Sequence, residues 1–177
     1  MAWTGSLNVQ ETFFLGVTCT SVGLLLAAAL HDTATRTIPN WIPAALAIAG
    51  LLLRAQDGNL AMNLGIAVLL LALFGCLWLR GYVGGGDMKL IPAAALALPP
   101  HDIPTFLLSM ALAGGVVALV YLALSAVVRR PPPGRRHGLP SRLLKAEAWR
   151  IYQRGAIPYG VAIAAGSLPL LVHTLSG

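Results

Sequence analysis

Residues 84–89 read Gly84-Gly85-Gly86-Asp87-Met88-Lys89, and they separate two apolar segments, Leu64–Leu79 and Leu90–Leu98. Three consecutive glycines prevent a stable helix through this stretch and allow another backbone to approach closely. Asp87 places an ionisable carboxyl directly beside apolar sequence, where such groups commonly have a functional role. We therefore treat the aspartate and the glycines before it as candidate site residues.

The composition of the whole chain is that of a membrane protein. Of its 177 residues, 57% are hydrophobic and 10% are charged, and the mean hydropathy is +0.77. Crossing a hydrocarbon core of ~30 Å takes ~20 helical residues. Six apolar segments approach this length, although the second and fourth are short: Phe13–Leu30, Trp41–Leu53, Leu64–Leu79, Leu90–Leu98, Phe106–Val128 and Ile157–Val172. The sequence predicts an all-α integral membrane protein with six transmembrane helices, forming a single domain over residues 1–177.

The basic residues predict the orientation of these segments. If the N-terminus is outside, the inner loops are residues 31–40, 80–89 and 129–156, and they hold 11 of the 12 Lys and Arg residues. Because basic residues favour the cytoplasmic side, an outside N-terminus is predicted. The basic cytoplasmic loop at 129–156 either forms a helix from Ser141 on the inner leaflet or is simply solvated. The net charge of +6 indicates contact with anionic lipids of the inner leaflet, not nucleic-acid binding.

A second carboxylate, Asp32, lies where the first apolar segment ends, and Ile38-Pro39-Asn40 follows it. Asn40 can cap the next helix, and Asp87 can cap the helix that begins at residue 90. Each aspartate can therefore be an ordinary helix-end residue. However, the predicted topology places both at the cytoplasmic edge. Two carboxylates close enough to share a proton supply the acid and the base that aspartic proteases use.

These stretches resemble the two active-site signatures of the type IV prepilin peptidases, membrane aspartic proteases of the G-x-G-D class. Asp32 with Ile38-Pro39-Asn40 matches one signature, and Gly84-Gly85-Gly86-Asp87-Met88-Lys89 matches the other. Pro158-Tyr159-Gly160 is similar to a further element of that family. The resemblance implies that Asp32 and Asp87 are a catalytic pair. It also implies that they remove the N-terminal leader of a prepilin or pseudopilin at the cytoplasmic face of the bacterial inner membrane, without a cofactor.

The same resemblance implies supporting roles for motif members and a particular branch of the family. Gly84, Gly85, Gly86, Lys89 and Asn40 are implied to support the site or bind substrate. The chain is similar to the short peptidases of tight-adherence (Flp-type) pilus systems. Because it begins shortly before the first apolar segment and lacks paired cysteines, N-methyltransferase activity is not expected. The oligomeric state is left open.

Arg36 lies four residues after Asp32, on the same helix face if the first helix extends that far. It can pair with Asp32, bind an acidic residue of the substrate, or act as an inner-side anchor. His31 adjoins Asp32, but no further ligands gather around the aspartates, so no metal site is predicted. The alternative function is a small proton- or cation-coupled carrier subunit that uses the same carboxylate pair. Carrier sites usually lie near the membrane midplane, which favours the peptidase.

Overall fold

The computed structural model describes residues 8–127 and 158–176. The helices are α1 (Val9–Thr35), α2 (Trp41–Gln56), α3 (Leu60–Leu79), α4 (Asp87–Ala97), α5 (Ile103–Val127) and α6 (Tyr159–Ser176), with a 3₁₀ turn at Pro100–Asp102. Every regular element within these two ranges is helical, which confirms the all-α prediction. The basic loop at 129–156 and its predicted helix from Ser141 lie outside the described residues.

Three stretches are long and apolar enough to cross a membrane, namely α1, α3 and Pro100–Ala126, which contains most of α5. The helices α2 and α6 are apolar but shorter. As expected for contact with lipid, α3 and α5 expose many large apolar side chains: Val68, Leu69, Leu73, Leu112, Leu119 and Leu122. The chain is therefore a multi-pass helical membrane protein. The count of six spans and the outside N-terminus stay predictions.

The first helix continues beyond the apolar segment, so Asp32 lies within α1 and not after it. Neither glycine nor proline interrupts this part of the sequence, and the Thr35 hydroxyl donates to the His31 carbonyl at 2.8 Å. The helix ends at Arg36, whose φ of 57° is left-handed and whose backbone N–H donates to the Asp32 carbonyl at 2.7 Å. A regular helical turn therefore carries the Asp32 side chain.

The short helix α4 lies at the centre of the bundle. Its 11 residues extend about 17 Å, roughly half of the hydrocarbon thickness. The eight residues Leu90–Ala97 are all buried, because α2, α3 and α6 pack around them. A helix that is apolar on every side is stable only when other helices enclose it. The protein itself, and not lipid, therefore surrounds α4.

Gly50 of α2 allows this central helix to pack closely. A Cβ atom at position 50 would lie 2.6 Å from the Leu96 carbonyl carbon and 2.7 Å from the Ala97 nitrogen. Distances this short to backbone atoms cannot be relieved by rotating a side chain. The contact between α2 and α4 therefore depends on the absence of a side chain at this position.

Asn63 of α3 fixes the C-terminal end of α4. The last carbonyls of a helix lack partners within the helix. The buried Asn63 amide nitrogen donates to the carbonyls of Ala95 and Leu98, at 3.2 and 2.8 Å. This pair of hydrogen bonds sets the position of α4 along its own axis, and with it the position of Asp87 at the other end.

Candidate active site

The two aspartates come from different helices and meet at one end of the bundle. Asp32 lies in the last turn of α1 and is 6% exposed. Asp87 is the first residue of α4 and is half-buried. They are close enough for the negative charge of Asp32 to act on the ionisation of Asp87. The structure thus brings together the two carboxylates that the sequence analysis paired.

Asp87 lies outside the three helices that are long enough to span the membrane, and its carboxyl is withdrawn from water. This burial raises the pKa of Asp87 to about 7, and the charge of Asp32 adds to the rise. No residue in the described part of the chain donates a hydrogen bond to the carboxyl. Below neutral pH, Asp87 therefore favours its protonated form, as one member of an acid–base pair must.

Asp32 receives a hydrogen bond from the start of the last helix. The Gly160 backbone N–H donates to Asp32 Oδ2 at 2.8 Å. A Cβ atom at Gly160 would lie 2.9 Å from Asp32 Cβ and 3.0 Å from Oδ2, so a larger residue cannot approach in this way. The sequence analysis did not include Gly160 among the site residues. The available signal was Pro158-Tyr159-Gly160, which it noted only as part of the family resemblance.

The glycine run Gly84–Gly86 provides space beside the second carboxylate. A Cβ atom at Gly84 would lie 2.8 Å from Asp87 Oδ2, and one at Gly86 would lie 2.9 Å from Ile38 Cβ. None of the three glycines has a positive φ, unlike Gly81 before them. Glycine is therefore needed at Gly84 and Gly86 because of the close packing and not because of an unusual backbone conformation.

The middle glycine faces an aromatic ring. A Cβ atom at Gly85 would lie 3.2 Å from the indole nitrogen of Trp78 at the end of α3. The three glycines thus bring the loop against α3, against the loop between α1 and α2, and against the Asp87 carboxyl. This arrangement leaves Gly84 exposed next to that carboxyl.

Neither Asn40 nor Asp87 caps a helix with its side chain. Gly86 occupies the N-cap of α4 with helical backbone angles, and Asp87 is the first helical residue without a capping hydrogen bond. Asp87 is therefore not the cap that the sequence allowed. Asn40 does occupy the N-cap of α2, but its backbone is also helical and its side chain makes no cap. Capping side chains need an extended backbone to reach the first turn.

The side chain of Asn40 instead connects two parts of the site. Its Oδ1 accepts a hydrogen bond of 2.9 Å from Lys89 Nζ. Lys89 is the third residue of α4, so this bond joins the connection between α1 and α2 to the helix that begins with Asp87. These two motif residues therefore hold the loops around the carboxylates in register.

The Arg36 side chain contacts α5. Its Nη2 donates to the Tyr121 hydroxyl at 2.6 Å, and the guanidinium carbon lies 5.4 Å from the centre of the Tyr121 ring. Such an arrangement combines a hydrogen bond with a cation–π contact. Pairing with Asp32, one of the possibilities for Arg36, does not take the form of a hydrogen bond among the described residues, although the Arg36 charge is close enough to act on that carboxylate. A role for Arg36 in substrate binding stays a prediction.

His31 makes local contacts beside the pair. Its Nδ1 lies 2.7 Å from the Thr37 carbonyl and 2.8 Å from the Thr35 hydroxyl. Within residues 8–127 and 158–176, no three His, Cys, Asp or Glu side chains gather to hold a metal ion.

Comparison with known families gives a match to the type IV leader peptidase family over residues 19–119, more than half of the 177 residues. The matched range includes both aspartates and the glycine run, and Gly160 lies beyond it. Neither the curated proteins nor the solved structures give a significant match. Because the matched range is this large, the chain belongs to the type IV leader peptidase family.

Proposed function

We propose that the protein is an aspartic endopeptidase that removes the N-terminal leader of type IV prepilins or pseudopilins, with Asp32 and Asp87 as its catalytic pair. The observation that carries this proposal is the approach of two carboxylates from α1 and α4, one of them with its pKa raised to about 7. Buried acids in such proximity are costly for stability and commonly mark catalytic sites. Membership of a leader peptidase family supports the same reaction.

The pair provides both proton transfers that peptide hydrolysis needs. The ionised carboxylate takes a proton from water as the water oxygen attacks the peptide carbonyl carbon. The protonated carboxyl gives its proton to the carbonyl oxygen, which yields a neutral tetrahedral diol. When the C–N bond breaks, the first carboxyl returns its proton to the leaving amine, and the second regains a proton from the diol. Both aspartates then have their starting protonation states.

An extended substrate is expected to lie along the glycine run. Gly84 is exposed beside the Asp87 carboxyl and has no side chain that would block an approaching backbone. Backbone groups of an extended peptide at the membrane need partners in the protein, because lipid offers none. We propose that Gly84, Gly85 and Gly86 admit the peptide, and that Lys89 and Asn40 keep the surrounding loops in place.

The proposed membrane arrangement has six spans, an outside N-terminus and both aspartates at the cytoplasmic face of the bacterial inner membrane. The distribution of Lys and Arg supports this orientation. In it, the basic residues of 129–156 face the anionic inner leaflet. The substrate class proposed is the Flp-like pilins, whose leader would reach the carboxylates from the cytoplasm while the following hydrophobic helix lies in the bilayer.

The direct test uses purified protein in detergent with a purified Flp-like prepilin. We expect a time-dependent shift to a shorter product on a gel, with mass spectrometry showing a single new N-terminus just before the hydrophobic helix. Metal chelators should leave the rate unchanged, whereas a reaction that stops with chelator contradicts a pair acting alone. A carrier that uses the same carboxylates would leave the prepilin intact under all conditions.

The raised pKa of Asp87 predicts how cleavage depends on pH. Below about 7 Asp87 keeps the proton that it must donate, and above about 7 it loses that proton. We therefore expect kcat/KM to fall about tenfold per pH unit above neutrality. Stability should change in the same direction, because the ordinary pKa is 3.8 and the folded protein disfavours the ionised form. The stabilisation is complete below 3.8 and is lost as the pH rises through about 7.

Initial cleavage rates of a short leader peptide, measured from about pH 5 to about pH 9, check this prediction. A soluble peptide separates the ionisation of the enzyme from any change in the substrate's insertion. A rate that stays constant across the alkaline range would mean that Asp87 does not supply a proton in the slow step.

A further inference from the structure

We propose that the start of α6 assigns the two roles in the catalytic pair: the Gly160 N–H holds Asp32 as the ionised carboxylate that takes the proton from water, and the shared proton therefore lies on Asp87. This inference rests on the proposed function for its mechanistic meaning. In it, Gly160 is a positioning residue, because it acts through Asp32 and does not touch the reacting atoms.

The two carboxyls differ in their hydrogen-bond donors. Asp32 Oδ2 accepts the Gly160 N–H at 2.8 Å, whereas no residue in the described ranges donates to Asp87. A hydrogen bond to an ionised group favours the charged form, and burial without a donor favours the neutral form. Burial acts on both carboxyls, but among the described residues only Asp32 has a donor that opposes it. Asp32 is therefore the better suited to carry the charge, and Asp87 the better suited to carry the proton.

The donor also belongs to the positive end of a helix. Gly160 is the second residue of α6, where backbone N–H groups lack partners within the helix. The aligned peptide dipoles place a partial positive charge at this end, which favours a carboxylate nearby. Asp87 also lies at a helix start, but its carboxyl accepts no N–H of α4 and packs against Gly84.

Other charged groups near the pair do not remove this difference. Arg36 and His31 on α1 are the groups whose charges act on Asp32, and the charge of Asp32 in turn acts on Asp87 of α4. The cationic groups Arg36 and His31 therefore favour the ionised form of Asp32. Lys89, on the same helix as Asp87, bonds to Asn40.

The neighbouring helices α5 and α6 each carry a tyrosine. Tyr159 of α6 packs its ring against Gly114 of α5, where a Cβ atom would lie 3.2 Å from the ring. Tyr121 of α5 accepts the hydrogen bond from Arg36. Within the described ranges neither phenol donates a hydrogen bond to Asp32, and the donor to its carboxylate from α6 is the Gly160 backbone N–H.

The first test replaces Gly160 with alanine, which places a Cβ atom 2.9 Å from Asp32 Cβ and forces the two apart. We expect kcat to fall about tenfold or more with KM within about twofold. The acid limb of the pH profile, which reports ionisation of Asp32, should move about one pH unit higher as the donor is lost. The alkaline limb, which reports Asp87, should stay in place.

Gly166→Ala is the matched control. It is the same substitution on the same helix, and its Cβ atom would lie 2.8 Å from the Met110 backbone nitrogen of α5, away from the aspartates. It should disturb helix packing to a similar extent without moving the pH profile. The proposal is overturned if Gly160→Ala leaves the acid limb in place, or if Gly166→Ala moves it equally.

A second measurement does not need cleavage, so it also decides the proposal if Gly160→Ala fails to fold. In a detergent without ester groups at about pH 6, the wild-type protein should show the infrared C=O stretching band of a protonated carboxylic acid. The band should disappear in Asp87→Asn and persist in Asp32→Asn, where it should be weaker because the charge of Asp32 no longer adds to the raised pKa of Asp87. A band that persists in Asp87→Asn or disappears in Asp32→Asn overturns the assignment. If the infrared bands behave as expected but the protein does not cleave prepilin, the proposed function is refuted and the assignment of the proton to Asp87 stands.

Discussion

Replacing either Asp32 or Asp87 with asparagine is expected to abolish leader cleavage while the protein still inserts into the membrane. Asparagine preserves the size of each side chain but cannot take a proton from water or supply a carboxyl proton. General acid and general base catalysis each contribute about 10²–10⁴-fold, so the rate should fall by about 10³-fold or more in each variant. The measurement is single-turnover cleavage of a purified prepilin, with quantification of the shortened product.

The chain offers a carboxylate for a matched control. Asp102 lies in the 3₁₀ turn after α4, at the opposite end of that helix from Asp87. Asp102→Asn makes the same chemical change and should leave cleavage near the wild-type rate. Membrane insertion of all variants is compared by extraction and gel filtration. Cleavage that persists in either active-site variant would falsify the catalytic pair.

Gly50→Ala is expected to destabilise the protein more than alanine at the other described glycines, because its added Cβ atom makes the shortest contact. Alanine is normally the better helix residue by about 0.5–1 kcal/mol, which by itself predicts a gain. At this position the added Cβ atom would lie 2.6 Å from the Leu96 backbone of α4. Overpacking of this kind costs about 1–3 kcal/mol, so the clash outweighs the gain. A net cost of about 1–2 kcal/mol in a chain of this size should lower the melting temperature by about 2–8 °C.

Gly65→Ala in α3 provides the comparison for this stability measurement. A Cβ atom there would have no neighbour within 4 Å, so the substitution keeps only the helix-propensity benefit. Its melting temperature, followed in detergent by the fluorescence of a thiol-independent dye, should equal or slightly exceed that of the wild type. If both variants melt alike, α2 and α4 do not pack as closely as the structure indicates.

The sequence was sufficient to predict the helical class and the pairing of Asp32 with Asp87. The helical class followed from long apolar runs. The pairing followed from the predicted topology, which places both carboxyls at one membrane edge, and from the family resemblance. The enclosure of α4 by other helices could not be predicted in the same way. Its 11 residues look like a short span in isolation, and only the packing of α2, α3 and α6 around them makes it an enclosed helix.

Errors and omissions at the site also came from contacts between distant residues. Asn40 looked like a capping residue, but its side-chain oxygen accepts a hydrogen bond from Lys89, 49 positions later. Gly160 binds Asp32 across 128 positions, and no spacing rule connects two residues so far apart. The Pro158-Tyr159-Gly160 element carried a signal, but its role as a hydrogen-bond donor required the arrangement of α1 against α6.

Because Asn63 anchors the C-terminal end of α4, the length of this helix determines where Asp87 lies. Hydrogen bonds from Asn63 hold the C-terminal end of α4 at the carbonyls of Ala95 and Leu98. A residue inserted into or deleted from α4 therefore displaces the N-terminal end of the helix, where Asp87 lies. Each such change turns Asp87 by about 100° around the helix axis and shifts it about 1.5 Å along that axis. Functional homologues should therefore have no insertions or deletions in α4, even if the inserted or remaining residues are all apolar.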